Sequence, residues 1–76
     1  MKRDALYPIR VEMSTKIGQR IRELRDERGL RQDQMFGLDR SYMSDVERGK
    51  KMPSLTVLKV LSVGFKVSMA EMVETL

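Results

Sequence analysis

Residues 37–49 read GLDRSYMSDVERG, a polar segment that begins and ends with glycine. Met43 and Val46 are three positions apart, so a helix would place both on its inward face. Asp39 can accept a hydrogen bond from a backbone N–H at the helix start, where its negative charge is also favourable. Because glycine commonly follows the last turn of a helix, the segment predicts a short helix over residues 40–48.

A longer helix is predicted upstream of this segment. Ile17, Ile21 and Leu24 fall at positions i, i+4 and i+7, which form one face of a helix, and charged residues lie between them. Gly29 stands just past the end of this pattern, where a left-handed C-terminal cap favours glycine. We therefore expect the first helix to span residues 15–28.

Three further segments complete an all-helical chain. A second helix of fewer than two turns fits between the first and the third, over residues 31–36. Ser68 and Glu71 form a capping box for a fifth helix over residues 69–75. Ser54 caps a fourth helix, whose apolar side chains are numerous enough to be mostly buried: Leu55, Val57, Leu58, Leu61 and Phe65. The sequence predicts a small all-α domain of five helices.

The composition excludes most classes of enzyme. The 76 residues include no cysteine and no histidine, so disulfides, thiolate metal sites, the usual zinc ligands and the commonest general base are missing. Asp33, Asp39 and Asp45 are six positions apart, but Asp39 is better explained as a helix cap than as a metal ligand. We expect one domain that is not an enzyme and has neither a cofactor nor a bound metal.

Charge is unevenly distributed along the chain, which has a net charge of +4 and a pI near 9.8. Thirteen basic and nine acidic side chains lie in residues 1–51, whereas residues 52–76 contain two of each. The excess indicates either a face that binds an anion, nucleic acid above all, or an ordinary solvated surface. No apolar run reaches the ~18 residues of a membrane span, and no signal-peptide core is present. We expect a cytoplasmic protein with no membrane partner.

The N-terminal residues differ from the rest of the chain. They are of mixed character, and Pro8 disfavours an early helix. Residues 1–13 are therefore expected to be a frayed tail, or else an arm that packs on the core or on a partner. The domain itself would occupy residues 14–76.

Two short helices joined through a glycine turn, inside a basic all-helical domain, indicate a helix-turn-helix. Residues 37–49 resemble the recognition-helix signature of the phage-repressor and Cro-like (XRE) family. The first helix of that family is similar to IGQRIRELR at residues 17–25, and the start of its fourth to PSL at residues 53–55. Within the family, the chain is most similar to controller proteins of restriction–modification systems. The resemblance covers residues 16–75 and implies a compact five-helix lambda-repressor-like DNA-binding domain.

The chain departs from the family pattern in the second helix. Gln32 lies only five residues before Gly37, so that roughly three residues, most of a helical turn, are absent relative to the family. Phe36 stands where the family usually has a small residue, because the second and third helices cross closely there. Either the second helix is truncated and its turn rebuilt, or the sequence omits a stretch. In a helical segment, Met35 and Phe36 would face inward.

The resemblance implies that the third helix lies in the major groove of double-stranded DNA, with its early residues at the base edges. Arg40 is the best base reader, because a guanidinium can bond bidentately to guanine. The alternative is an arginine that faces solvent or pairs with an aspartate. The expected base contacts are the side chains that face away from the core: Arg40, Ser41, Ser44 and Asp45.

Contacts with the DNA backbone are expected on both sides of that helix. Gln32 resembles the family's phosphate-contacting glutamine at a helix N-terminus, which favours an anion. Tyr42 would lie along the sugar–phosphate backbone or cover the core. The expected phosphate contacts are Arg31, Gln32, Tyr42, Arg48, Lys50 and Lys51, the last three of which could be only solubilising.

Two helix-to-helix contacts complete the prediction. Glu47 matches a family acid that pairs with an arginine of the first helix, here Arg20. The fifth helix has an uncharged apolar face that is either a dimer interface or the closure of the protomer core: Met69, Met72, Val73 and Leu76.

The function that follows is gene regulation. The sequence predicts a transcriptional regulator that binds a palindromic operator as a homodimer, through the third helix in the major groove. RNA polymerase is a further candidate partner, and no small-molecule ligand is expected. The alternative is an antitoxin-type interaction module that binds a toxin as well as its own operator.

Overall fold

The structure is a computed structural model that describes residues 5–76. Within these residues the regular elements are helical. Four α-helices follow one another along the chain: α1 (Tyr7–Glu27), α2 (Arg40–Glu47), α3 (Leu55–Phe65) and α4 (Met69–Val73). One turn of 3₁₀ helix, Gln32–Gln34, lies between α1 and α2. The all-α class is confirmed for the described residues, but the count of five helices is not, because only four α-helices are present there and the predicted second helix is a 3₁₀ turn.

Helix α1 begins eight residues earlier than the sequence predicts. Pro8 lies in its first turn. Backbone N–H groups in a first turn have no partner within the helix, so proline, which lacks this group, costs no hydrogen bond there, and its fixed φ suits the helix. Residues 7–13 are therefore helical and do not form a frayed tail, while residues 1–4 of the predicted tail lie outside the described residues. The predicted glycine cap is confirmed, because Gly29 has a φ of +64°.

The predicted second helix is reduced to the single 3₁₀ turn. The side-chain Oε1 of Gln34 accepts a hydrogen bond from the backbone N–H of Arg31 at 2.8 Å, which closes the start of the turn. The chain then reverses through two residues with positive φ, Phe36 at +60° and Gly37 at +82°. The segment is too short for two α-helical turns. Phe36 and Gly37, both in the left-handed region, therefore turn the chain toward α2 in place of a regular helix C-terminus.

One hydrophobic core joins the four helices, and removal of each large side chain from water contributes about 1.5–3 kcal/mol. Met35, which follows the 3₁₀ turn, is fully buried as predicted, but Phe36 is 37% exposed. The prediction for α3 is wrong at its first residue, because Leu55 is 76% exposed. The buried core residues are Ile17, Ile21, Leu24, Met35, Met43, Val46, Leu58, Leu61, Phe65 and Met72.

Helices α1 and α2 approach closely at Gly18. A Cβ atom on Gly18 would overlap the backbone carbonyl oxygen of Val46 and lie 3.0 Å from that of Glu47. Only glycine therefore fits at this position without moving one of the two helices. The contact sets the distance between the long first helix and α2.

Two capping contacts fix the orientation of α4. Ser68 donates its backbone N–H to Oε1 of Glu71 at 2.8 Å, and the Ser68 hydroxyl accepts from the backbone N–H of Glu71 at 3.0 Å. The predicted capping box is thus confirmed. Lys66, at the end of α3, has a φ of +62° and turns the chain toward this box.

Candidate nucleic-acid interface

Helix α2 is held with one face in the core and the other in solvent. Met43 and Val46 are fully buried, as the sequence predicts. The carboxylate of Asp39 accepts a hydrogen bond from the backbone N–H of Tyr42 at 2.8 Å, which confirms the predicted N-terminal cap. Arg40 and Ser41 are exposed on the first turn of the helix. The first turn is therefore rigidly placed and accessible, which suits a helix that inserts into a groove.

An open depression of about 250 Å³ lies against this outer face. Four of its six lining residues are the predicted base contacts, and the other two are predicted phosphate contacts. The structure thus brings together two sets of residues that are separated in the sequence. The lining residues are Gln32, Arg40, Ser41, Ser44, Asp45 and Arg48.

A buried ion pair attaches the end of α2 to α1. Nε and Nη2 of Arg25 donate to the two carboxylate oxygens of Glu47 at 2.8 and 2.9 Å. The Glu47 side chain is only 3% exposed. The hydrogen bond to Glu47 is the main cause that raises the pKa of Arg25 above its ordinary value. A bidentate pair of this kind fixes both the distance and the rotation of α2 relative to α1.

The prediction that Glu47 pairs with Arg20 is wrong. Arg20 lies 4.0 Å from Glu23 and 4.0 Å from Glu74, on the side of α4. Arg25 lies seven positions after Gly18, so the two share the side of α1 that touches α2. The spacing from a glycine at the helix crossing was the signal that could have identified the correct arginine.

Gln32 lies beside this ion pair. Its Nε2 donates to Oε1 of Glu47 at 3.3 Å, and the residue is half-buried. Gln32 thus joins the start of the 3₁₀ turn to the end of α2. Although the second helix is shortened, Gln32 still lines the depression beside Arg40.

Several of the predicted phosphate contacts are paired with acids. Arg48 donates from Nη2 to Oδ1 of Asp45 at 2.8 Å, and Nζ of Lys51 lies 3.5 Å from Oδ2 of the same carboxylate. Arg48 first and Lys51 second hold the pKa of Asp45 below its ordinary value. Arg31 forms a similar pair with Asp33 at 3.1 Å.

Other cations on this face are not paired in the same way. Within residues 5–76, no ion pair involves Arg40 or Lys50, and both side chains are exposed. Tyr42 is half-buried against the core, as one of its two predicted roles requires. The ammonium of Lys51 lies 5.8 Å from the centre of the Tyr42 ring, within range of a cation–π contact.

The predicted dimer face is mostly part of the protomer core. Met72 is fully buried, and Met69 and Val73 are partly buried against the core. Met72 must therefore be removed from the candidate interface, since it closes the core of its own protomer. Leu76 is 42% exposed and remains available.

Residues 5–76 lack two features that are typical of other protein classes. No helix there is both long enough and apolar enough to cross a membrane. No group of three or more acidic side chains in the same range is arranged to hold a metal ion.

Known proteins share this arrangement. A family model described as helix-turn-helix matches residues 21–72. The crystal structure of the restriction–modification controller protein C.AhdI from Aeromonas hydrophila superposes with a TM-score of 0.73 at 40% sequence identity, covering 78% of this chain and 94% of that one. At this identity the likeness extends beyond the fold to the sequence.

Two curated proteins are also similar in sequence. The HTH-type transcriptional regulator DdrOP3 of Deinococcus deserti is 39% identical over 62 residues, which cover 78% of this chain and 48% of the relative. The immunity repressor protein of Bacillus phage phi105 is 42% identical over 65 residues, or 79% of this chain and 45% of the relative. The chain spans about half the length of these two relatives.

Proposed function

This chain belongs to the helix-turn-helix family of DNA-binding transcriptional regulators, and from that premise we propose that it is a sequence-specific regulator that inserts α2 into the major groove of an operator. The observation that carries the proposal is the fixed placement of α2. Its inner face is buried, Glu47 ties its end to Arg25, and its first turn is exposed at Arg40. An α-helix of this kind fits the major groove of B-DNA, which is about 12 Å wide.

Base recognition is assigned to the outer face of α2. Arg40 is exposed, and within the described residues it forms no ion pair that would have to be broken on binding. Its guanidinium is therefore available to guanine O6 and N7. Ser41 and Ser44 line the same depression and can donate to, or accept from, a base edge. Asp45 can accept only from an exocyclic amino group, as on cytosine or adenine.

Phosphate contacts are assigned to the rim of the same surface. Gln32 and Arg31 lie on one side of Arg40, at the 3₁₀ turn. Lys50 and Lys51 lie in the loop after α2, where Nζ of Lys51 is 3.5 Å from the carboxylate of Asp45. Such contacts set the position of the protein on the duplex without reading its sequence. The residues proposed for this role are Arg31, Gln32, Tyr42, Arg48, Lys50 and Lys51.

The proposed regulator acts as a homodimer on a palindromic site. One short helix reads only a few base pairs, and two recognition helices about 34 Å apart reach successive turns of the major groove. Leu76, with the partly buried Met69 and Val73, is the surface we propose for the dimer contact. Regulation then follows from operator occupancy, which blocks RNA polymerase or recruits it.

The experiment that tests the proposal is a selection of bound sequences from random duplex DNA. We expect the protein to enrich a palindrome whose half-sites are centred about one helical turn apart. Analytical ultracentrifugation on the enriched duplex should show two protomers bound. Recovery of unenriched DNA after repeated rounds would contradict the proposed function, and enrichment of a single half-site would contradict the dimer.

A further inference from the structure

We infer that Asp45 is a specificity-determining residue, which holds Arg48 and Lys51 away from phosphates on arbitrary DNA and gives them up at the operator. The inference rests on the proposed function and deepens it. Each oxygen of the carboxylate holds a different cation, Arg48 at 2.8 Å through Oδ1 and Lys51 at 3.5 Å through Oδ2. Neither cation can move to a phosphate without leaving one carboxylate oxygen unpaired.

The position of Asp45 makes that unpaired oxygen costly on most sequences. Asp45 lines the depression together with Arg40 and Ser44, so it lies on the face that the proposed function turns toward the bases. A carboxylate is an acceptor only, and it is repelled by the phosphates of the duplex. It is satisfied in the groove where a base presents an amino group, N4 of cytosine or N6 of adenine.

The two kinds of site therefore differ in how many cations reach the DNA backbone. At an operator with an amino group opposite Asp45, the base satisfies the carboxylate, and Arg48 and Lys51 are released to neighbouring phosphates. On other DNA the carboxylate keeps both cations, and binding depends on cations that Asp45 does not restrain, such as Lys50. Fewer phosphates are then neutralised, and both affinity and salt dependence are lower.

The test uses Asp45→Asn and two DNA probes. One is a duplex enriched by selection from random DNA, and the other is a scrambled duplex of the same length and base composition. At 0.1 M salt, Asp45→Asn should bind the scrambled duplex about three- to tenfold more tightly, with a salt dependence steeper by up to about two units, about one for each released cation. The enriched duplex should gain less, because Arg48 and Lys51 already reach phosphates there, so the ratio of the two affinities should fall.

The matched control is Glu23→Gln, which removes the same charge from an exposed side chain on α1 beside Arg20. This variant should change both affinities equally and by less than about twofold. Asp45→Glu keeps the carboxylate and should retain most of the ratio. In a background of Arg48→Ala and Lys51→Ala, Asp45→Asn should tighten binding to the scrambled duplex by less than about twofold, because only the direct repulsion between the carboxylate and the phosphates is then removed.

The outcomes separate this inference from the function on which it rests. If Asp45→Asn shifts both duplexes equally, as Glu23→Gln does, the assignment of Asp45 is overturned while the regulator stands. The assignment is also overturned if Asp45→Asn tightens scrambled binding by the same factor without Arg48 and Lys51 as with them. A selection that enriches no sequence overturns the proposed function and this inference together.

Discussion

The ring of Phe36 fills the space that a side chain at Gly64 would occupy. A Cβ on Gly64 would lie 2.5 Å from two carbons of that ring. The same ring meets Phe65 edge-on, with centroids 5.3 Å apart and planes at 82°. The shortened helix-turn-helix therefore packs its large turn residue onto a glycine of α3 and gains an aromatic contact there.

This pairing predicts opposite effects of Gly64→Ala in two backgrounds. In the otherwise unchanged protein, overpacking against Phe36 opposes folding by about 1–3 kcal/mol and outweighs the gain of about 1 kcal/mol from better helix propensity. In a Phe36→Ala background the space is open, so Gly64→Ala should stabilise α3. Urea denaturation of the four proteins measures both changes. A destabilisation of equal size in the two backgrounds would show that Phe36 is not the obstacle.

The example of Phe36 shows what the sequence could and could not predict about the turn. The spacing from Gln32 to Gly37 correctly indicated a shortened second element, and the helix-turn-helix resemblance is confirmed. A 3₁₀ turn replaces that helix, and Phe36 adopts a positive φ. The ring of Phe36 has room in this position because residue 64, which lies 28 positions away, is a glycine. Local patterns do not reveal such long-range complementarity between a large and a small residue.

The ion pair between Arg25 and Glu47 leads to a stability prediction. Arg25→Met leaves the nearly buried Glu47 carboxylate without its bidentate partner, which should destabilise the protein by about 3 kcal/mol. Arg22→Met is the matched control, because Arg22 is 68% exposed on the same helix and lies 3.9 Å from Asp26. The control should change the free energy of unfolding by less than about 0.5 kcal/mol. Equal losses in the two variants, measured by urea denaturation, would contradict the anchoring role.

Helix α1 shows where the periodicity of apolar residues predicts structure reliably and where it does not. Ile17, Ile21 and Leu24 are buried as their spacing predicts, because burial follows the helical period directly. The sequence predicts the start of α1 too late, because it assumes that Pro8 prevents a helix there, whereas proline is favourable in the first turn of a helix. The candidate base and phosphate contacts could be named from the resemblance, but the acids that pair with Arg31 and Arg48 became evident only in three dimensions.

The capping box of α4 predicts a dependence of stability on pH. Hydrogen bonds from the backbone N–H and the hydroxyl of Ser68 hold the pKa of Glu71 below its ordinary value. The unfolded chain, with the ordinary pKa, binds the proton first as the pH falls, so the stabilisation is present at neutral pH and is lost as the pH falls toward the lower folded value.

Glu71→Gln provides the measurement. Glutamine keeps an acceptor for the Ser68 N–H but does not titrate, so the variant should have a Tm close to that of the unchanged protein at acidic pH and a smaller fall in Tm between neutral and acidic pH. Thermal unfolding followed by circular dichroism across this range gives both values. If the two proteins lose Tm in parallel as the pH falls, Glu71 is not responsible for any part of the acid dependence.

Arg40 and Lys50 should differ in the kind of binding that they support. Arg40→Ala should weaken binding to the selected duplex by about 1–3 kcal/mol, because a bidentate base contact is lost, and should change binding to a scrambled duplex little. Lys50→Ala should weaken binding to both duplexes and reduce the salt dependence by up to about one unit, because Lys50 is exposed and no ion pair within the described residues holds it. Fluorescence anisotropy titrations of the two variants at several salt concentrations separate these effects. If both variants lose specific and non-specific affinity in the same proportion, Arg40 does not read a base, and α2 contacts only the backbone of the duplex.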